Sequence, residues 1–145
     1  MEIRVLSGTA AKDMEEAYAI RRQVFIEDQN VPEDLEFDKY DNDSATLHVL
    51  IFNEGSIVGT ARFRPYGDAI IKIERVAVLS KQRGSGFGRR IMNRIEVEAQ
   101  KLGYKWVKLS AQLHARKFYE RLGYQSYGDI YLEASIEHVD MEKKI

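Results

Sequence analysis

The 145-residue sequence contains no cysteine. That excludes disulfides, thiolate catalysis and any acyl-cysteine intermediate. No apolar run approaches the ~20 residues of a membrane helix, and the start, MEIRVLSGTA, has neither a basic head nor an apolar core of the kind a signal peptide needs. Together these point to the cytoplasm. There is no internal repeat, low-complexity tract or Pro/Gly-rich linker, so residues 1–145 are expected to form a single domain with a core of its own. A net charge of −1 gives no global pull toward nucleic acid or an anionic membrane. The three histidines, His48, His114 and His138, lack carboxylates at ligand spacing, so no metal is expected. No G-x-S-x-G elbow is present to support a serine nucleophile.

What is present concentrates between Ile70 and Leu102. Ile70, Ile71, Ile73, Val76, Ala77, Val78 and Leu79 mark a buried strand. Phe87, Ile91, Ile95, Ala99 and Leu102 recur at helical spacing and put one apolar stripe toward a core. Between strand and helix lies Arg83-Gly84-Ser85-Gly86-Phe87-Gly88. Glycines at alternate positions let the backbone turn its N–H groups toward a ligand, and the helix that follows adds unpaired amides and its dipole. Lys81, Arg83, Arg89, Arg90 and Arg94 surround this loop, and no acidic residue lies between Lys81 and Arg94. The expected ligand is a phosphate or pyrophosphate. A P-loop is disfavoured because Gly88 is followed by Arg89 rather than Lys-Ser/Thr. A dinucleotide fold is disfavoured because the spacing is G-x-G-x-G, and the next strand ends at Ser110 rather than at an acid.

A third reading, the pyrophosphate of coenzyme A, rests on a resemblance. Arg83, Gly86 and Gly88 occupy the fixed positions of R-x-x-G-x-G/A, and the stretch resembles motif A of the GNAT superfamily of N-acetyltransferases. Arg75-Val76-Ala77-Val78 resembles that family's central strand. The resemblance implies that the backbone of Val76, Ala77 and Val78 holds the pantetheine arm and polarises the thioester carbonyl, and that Arg83, Gly84, Ser85, Gly86, Phe87 and Gly88 hold the pyrophosphate. A second stretch, Gln112 to Tyr124, is similar to the family's N-x-x-A-x-x-x-Y-x-x-x-G-F, with Gln112 in place of Asn and Tyr124 in place of Phe. Arg21 to Asp38 and Ser135 to Met141 resemble segments of the ElaA-like branch, the latter its G-I-P-H-x-x-M.

The expected order of elements is β-α-β-β-β-α-β-α-β-β, an α/β fold whose mixed, mostly antiparallel sheet is flanked by helices. In this reading a helix spans Ala11 to Glu27, and strands span 46–52 and 57–64 about the turn Asn53-Glu54-Gly55-Ser56. Pro65-Tyr66-Gly67-Asp68 forms a second turn. Gly103 caps the main helix. Residues 124–127 and 131–141 form a closing hairpin around Gly128-Asp129.

The function implied is direct acetyl transfer from acetyl-CoA to the primary amine of a small molecule or peptide, without a metal. A non-catalytic acyl-CoA-binding module on the same fold is the alternative. Tyr119 is the expected acid, delivering a proton to the departing thiolate; its ordinary pKa near 10 lies close to that of a thiol. The rival reading makes it core, packed beside Phe118. Glu74, on the central strand, could take the proton of the attacking amine, or could merely pair with Arg75 or Lys72. Gln112 is a cofactor contact by resemblance, and His114 and His138 are lesser catalytic candidates. Glu33, Asp34 and Glu36 lie in an acidic stretch read either as a rim for a cationic acceptor or as a solvated loop. A homodimer is left open.

Overall fold

The computed structural model describes residues 1–10 and 13–145. Seven strands form one sheet in the order β1-β2-β3-β4-β5-β7-β6. They are β1 (Glu2–Ser7), β2 (Leu47–Asn53), β3 (Ser56–Gly67), β4 (Ile70–Val78), β5 (Trp106–Gln112), β6 (Gln125–Glu133) and β7 (Ile136–Lys144). All neighbours pair antiparallel except β4 and β5, which run parallel. The helices are α1 (Glu15–Arg21), α2 (Glu33–Glu36), α3 (Phe87–Lys101) and α4 (Arg116–Arg121).

Ala11, the expected start of the first helix, lies outside the described residues. From Arg22 to Asp28 that helix widens to π geometry, so it ends one residue beyond the expected Glu27. This turn buries Val24 and Phe25, and such wide turns are frequent at functional sites. Helix α3 buries Phe87, Ile91, Met92, Ile95 and Ala99 against the sheet. Gly103, at φ +91°, ends it. The Tyr104 amide donates to the Ala99 carbonyl and the Gly103 amide to that of Gln100, the two bonds of a Schellman cap. Leu102, expected on the buried stripe, is 62% exposed because the helix stops before it.

Three local expectations are corrected. Strand β3 runs through Pro65 to Gly67, and the turn falls at Asp68-Ala69. Pro65 is tolerated because β2 pairs with β3 only as far as Phe63, so its missing N–H breaks no ladder bond on that side. The closing hairpin turns at Ala134-Ser135, where both residues adopt positive φ (+50° and +63°). Gly128 (φ +75°) instead lies within β6, where the register shifts between Tyr127 and Tyr131. Finally, β4 is not buried on both faces: Ile71, Ile73 and Ala77 are buried, while Val76 and Val78 are only partly covered.

Candidate active site

The site arises where β4 and β5 part. The two strands pair only from Ile70↔Trp106 to Ile73↔Leu109. At the next position but one, Arg75 adopts a left-handed backbone (φ +59°). A non-glycine residue there costs on the order of 1–3 kcal/mol, so its surroundings must hold it. The Arg75 guanidinium donates to the carbonyls of Glu36 (3.0 Å) and Leu35 (3.1 Å) and reaches Asp38 Oδ2 at 3.3 Å. The kink turns β4 away from β5. Among the described residues, 74–78 therefore keep β3 on one side and have no strand on the other.

A cleft of about 770 Å³ fills this gap. One end is the glycine loop. Gly84 and Gly86 both adopt left-handed φ (+85° and +84°), and a Cβ at either would meet open space rather than protein. Backbone angle, not crowding, thus requires glycine at both. Gly88 differs: its Cβ would lie 3.1 Å from Phe118 Cζ, so it is needed for close packing of α3 against that ring. Among the described residues no side chain caps the α3 N-terminus, and its first turn holds no acid, which leaves an electropositive set of amides for an anion. The Arg83 guanidinium folds back to donate to the Val78 carbonyl (3.0 Å), closing the end of β4.

The middle of the cleft holds Tyr119. It is 8% exposed, stacked edge-on between Phe118 (5.0 Å) and Tyr124 (6.0 Å). Among the described residues its hydroxyl makes no hydrogen bond, yet it is not sealed in, since no buried side-chain polar atom is left unpaired and Tyr119 lines the cleft. Burial pushes its pKa up from the usual value. The close match to a thiol expected from the sequence is thereby changed, although a thiolate forming beside the buried ring is destabilised by the same cause. Gln112 also lines the cleft, but its amide exchanges hydrogen bonds with that of Gln29 (2.7 and 3.2 Å), tying β5 to the π turn. One N–H and one lone pair remain for a ligand.

Glu74 lies on the wall, fully committed to cations. Arg64 Nε donates to its Oε1 at 2.6 Å, Arg62 Nη2 to the same oxygen at 3.1 Å, and Arg64 Nη2 reaches Oε2 at 3.4 Å. Burial opposes its charge, but the Arg64 hydrogen bond and the field of Arg62 hold its pKa below the ordinary carboxylate value. A carboxylate so held is a weak proton acceptor. Its closest partners are Arg64 and Arg62; of the two expected partners Lys72 lies within reach, at 3.8 Å, and Arg75 is bound elsewhere.

The network continues beneath the cleft. Arg62, wholly buried, also binds Asp38 (2.7 Å) and Asp41 (2.8 Å). Arg21, equally buried, donates to Asp41 (2.6 Å) and Glu36 (2.9 Å). This corrects the acidic-rim expectation for Glu36, which is 3% exposed and spent on Arg21 and Arg75. Glu33 and Asp34 are exposed, Glu33 pairing with Arg22 at 2.6 Å. The buried network was not legible in the sequence: its members are spread from Arg21 to Arg75, and no spacing rule links them.

The far end of the cleft is the β6–β7 hairpin, represented by Glu133, Ala134, Ile136 and His138. His138 and Tyr131 stack at 6.0 Å. The Tyr131 hydroxyl donates to Asp140 Oδ1 at 2.6 Å and also bonds Ser110 Oγ. Glu133 and Tyr131 went unnoticed in the sequence because the hairpin turn was misplaced. Among the described residues no three His, Asp or Glu side chains are placed to hold a metal ion, and no helix is long and apolar enough to cross a membrane.

Comparison with known proteins agrees with this geometry. The model of the acetyltransferase (GNAT) domain matches residues 10–145. The Bacillus subtilis (strain 168) protein YyaT is 39% identical over 138 residues, covering 94% of this chain and 93% of its own. An acyl-CoA N-acyltransferase from Pseudomonas aeruginosa superposes with a TM-score of 0.87 at 27% identity, covering 98% of both chains. Escherichia coli ElaA shares the fold with the same score at 24% identity, again over 98% of both. The family model spans nearly the whole chain and a relative is 39% identical over 94% of it, so the chain belongs to the GNAT acetyltransferase family.

Proposed function

We propose that this chain, a single domain, transfers an acetyl group from acetyl-CoA directly to a primary amine. The observation that carries this reading is the continuous cleft that joins an anion-seeking loop to the unpaired edge of β4. The pyrophosphate would rest on the amides of Arg83 to Gly88. The pantetheine would pair with the free backbone of Val76 to Val78 as a surrogate strand. The thioester would then lie near Tyr119, whose hydroxyl meets the departing sulfur as a hydrogen-bond donor. The Tyr119 side chain is only 8% exposed, so a fixed dipole there acts with more effect than it would in open solvent. Glu74 serves as an anchor for Arg62 and Arg64 beside the bulge. The acceptor, a small molecule or peptide amine, would enter from the hairpin side, with the exposed Glu33 and Asp34 able to attract a cation from the surface.

The test is calorimetric titration with CoA and acetyl-CoA, followed by a primary-amine panel monitored by free CoA release. Binding with amine-dependent release is the expected result. Binding with no release from any amine would favour the acyl-CoA-binding module; no binding would defeat both readings.

A further inference from the structure

If the chain is an acetyltransferase, something must take a proton from the acceptor nitrogen, and Glu74 is ill suited to do so. We propose that His138 is that catalytic base, with Glu133 as its positioning residue. The inference rests on the transferase reading above and names a group in the acceptor half of the same cleft.

The geometry assigns the tautomer. His138 Nδ1 lies 2.7 Å from the Ile136 carbonyl oxygen. A carbonyl oxygen only accepts, so Nδ1 must carry the proton, and in the neutral ring Nε2 then holds the lone pair. Nε2 lies 3.5 Å from Glu133 Oε2. Two acceptors at that distance gain nothing from each other, but a proton arriving on Nε2 turns the contact into an ion pair. The ring is 6% exposed and is held flat against Tyr131, which is itself fixed by Asp140 and Ser110. The base is therefore oriented before any substrate arrives.

The carboxylates around it, apart from Glu133, are bound to other partners, and His114 is the other imidazole that lines the cleft. On β6 it meets Glu133 and Tyr131, and on its own strand Asp140, whose Oδ1 is bound to the Tyr131 hydroxyl. On β5 its register partner is Gln112, which is uncharged. Among the other residues lining the cleft are His114, Glu36, Glu74 and Arg75; of these Glu36 and Glu74 are bound to arginines.

The neutral amine's lone pair forms a C–N bond to the acetyl carbon. The nitrogen of the resulting adduct gives one proton to His138 Nε2. The C–S bonding pair leaves with sulfur, which takes the Tyr119 proton. The proton on His138 then returns through cleft solvent to the tyrosinate. One amine and one thioester become one amide and one thiol, and both side chains regain their starting forms.

Two measurements test this. In the ligand-free protein, nitrogen-detected NMR of the neutral His138 ring should show the proton on Nδ1; a ring protonated on Nε2 would overturn the assignment. Turnover of acetyl-CoA is then followed with the fastest amine of the panel, or with water as acceptor if no amine reacts. His138→Asn should lower kcat roughly 10²–10⁴-fold and abolish the acidic limb of the pH–rate profile. Melting temperature and CoA affinity by calorimetry should stay as in wild type. Glu133→Gln should lower kcat less, and its loss should shrink at high salt as the exposed carboxylate's effect on wild type is screened. A His138→Asn protein with full kcat, or with its acidic limb intact, sinks the proposal while leaving the transferase reading standing; failure to bind CoA sinks that reading instead.

Discussion

Replacing Tyr119 with phenylalanine removes one oxygen from a ring that is otherwise all packing. The ring is clamped between Phe118 and Tyr124, and its hydroxyl makes no hydrogen bond within the described residues. Tyr119→Phe should therefore leave the melting temperature within a degree or two. Tyr119→Ala leaves a cavity in the core cluster and should cost about 3–5 kcal/mol. At roughly 2–4 °C per kcal/mol for a domain of this size, that is a drop on the order of 10 °C. Activity should divide the other way. If the hydroxyl meets the sulfur as it leaves, its loss should lower kcat about 10²–10⁴-fold, or about 3–5 kcal/mol of barrier. Acetyl-CoA affinity should barely change. Because burial raises the Tyr119 pKa, the acid form persists through the working range, and its ionisation should produce no alkaline limb between about pH 6 and 9. Steady-state kinetics and thermal melts on both variants decide the matter. A Phe variant with wild-type kcat would refute the role and leave Tyr119 as core.

Other outcomes are expected elsewhere. Gly86→Ala forces a side chain into left-handed backbone at about 1–2 kcal/mol; the fold should persist, but CoA affinity should fall at least tenfold by calorimetry as the loop amides turn away. Arg62→Leu leaves Asp38, Asp41 and Glu74 short of their buried partner and should cost about 3–5 kcal/mol in a denaturant melt. Asp41 should dominate acid sensitivity: burial opposes its charge, yet Arg21 holds its pKa at about 2. With the folded value below the unfolded one, its stabilisation is complete above about pH 5 and is lost as pH falls through about 2, a swing of roughly 2–3 kcal/mol visible in urea titrations between about pH 5 and 1. Neutralising the exposed pair as Glu33→Gln with Asp34→Asn should leave stability unchanged, whereas Glu36→Gln should lower it, because only Glu36 is buried against arginines.

The parts of the fold legible in the sequence were those set by local rules. Helix α3 showed in its periodicity, its end in Gly103, and the anion loop in glycines whose backbone angles only glycine adopts readily. The β2–β3 turn showed in Glu54-Gly55, both at positive φ. Ala134-Ser135 makes an equally tight turn without glycine, so the more obvious Gly128-Asp129 drew the hairpin away from its true place. The bulge at Arg75 had no local sign either. It is held by contacts from Leu35, Glu36 and Asp38, nearly forty residues distant, and only the fold brings them together. The glycine end of the cleft could thus be read directly, while the hairpin end, with Glu133 and Tyr131, required the structure.

The buried ion network also acts as a gauge of strand alignment. Arg62 faces Glu74 across β3 and β4, at the point where the register shifts between Thr60 and Arg62. Sliding β4 by a single residue would turn Glu74 to the opposite face of the sheet and strip Arg62 of one anion in a place water does not reach. The four acids that answer Arg21, Arg62 and Arg75 lie on two separate segments, residues 36–41 and β4. A chain that collapses with the bulge misplaced therefore carries bare charge in its interior and is penalised at once, whereas a purely apolar seam would tolerate the slip. With Arg64, which also meets Glu74, four arginines answer four acids, and the gap beside β4 is thus tied to the alignment of the sheet that makes these pairs.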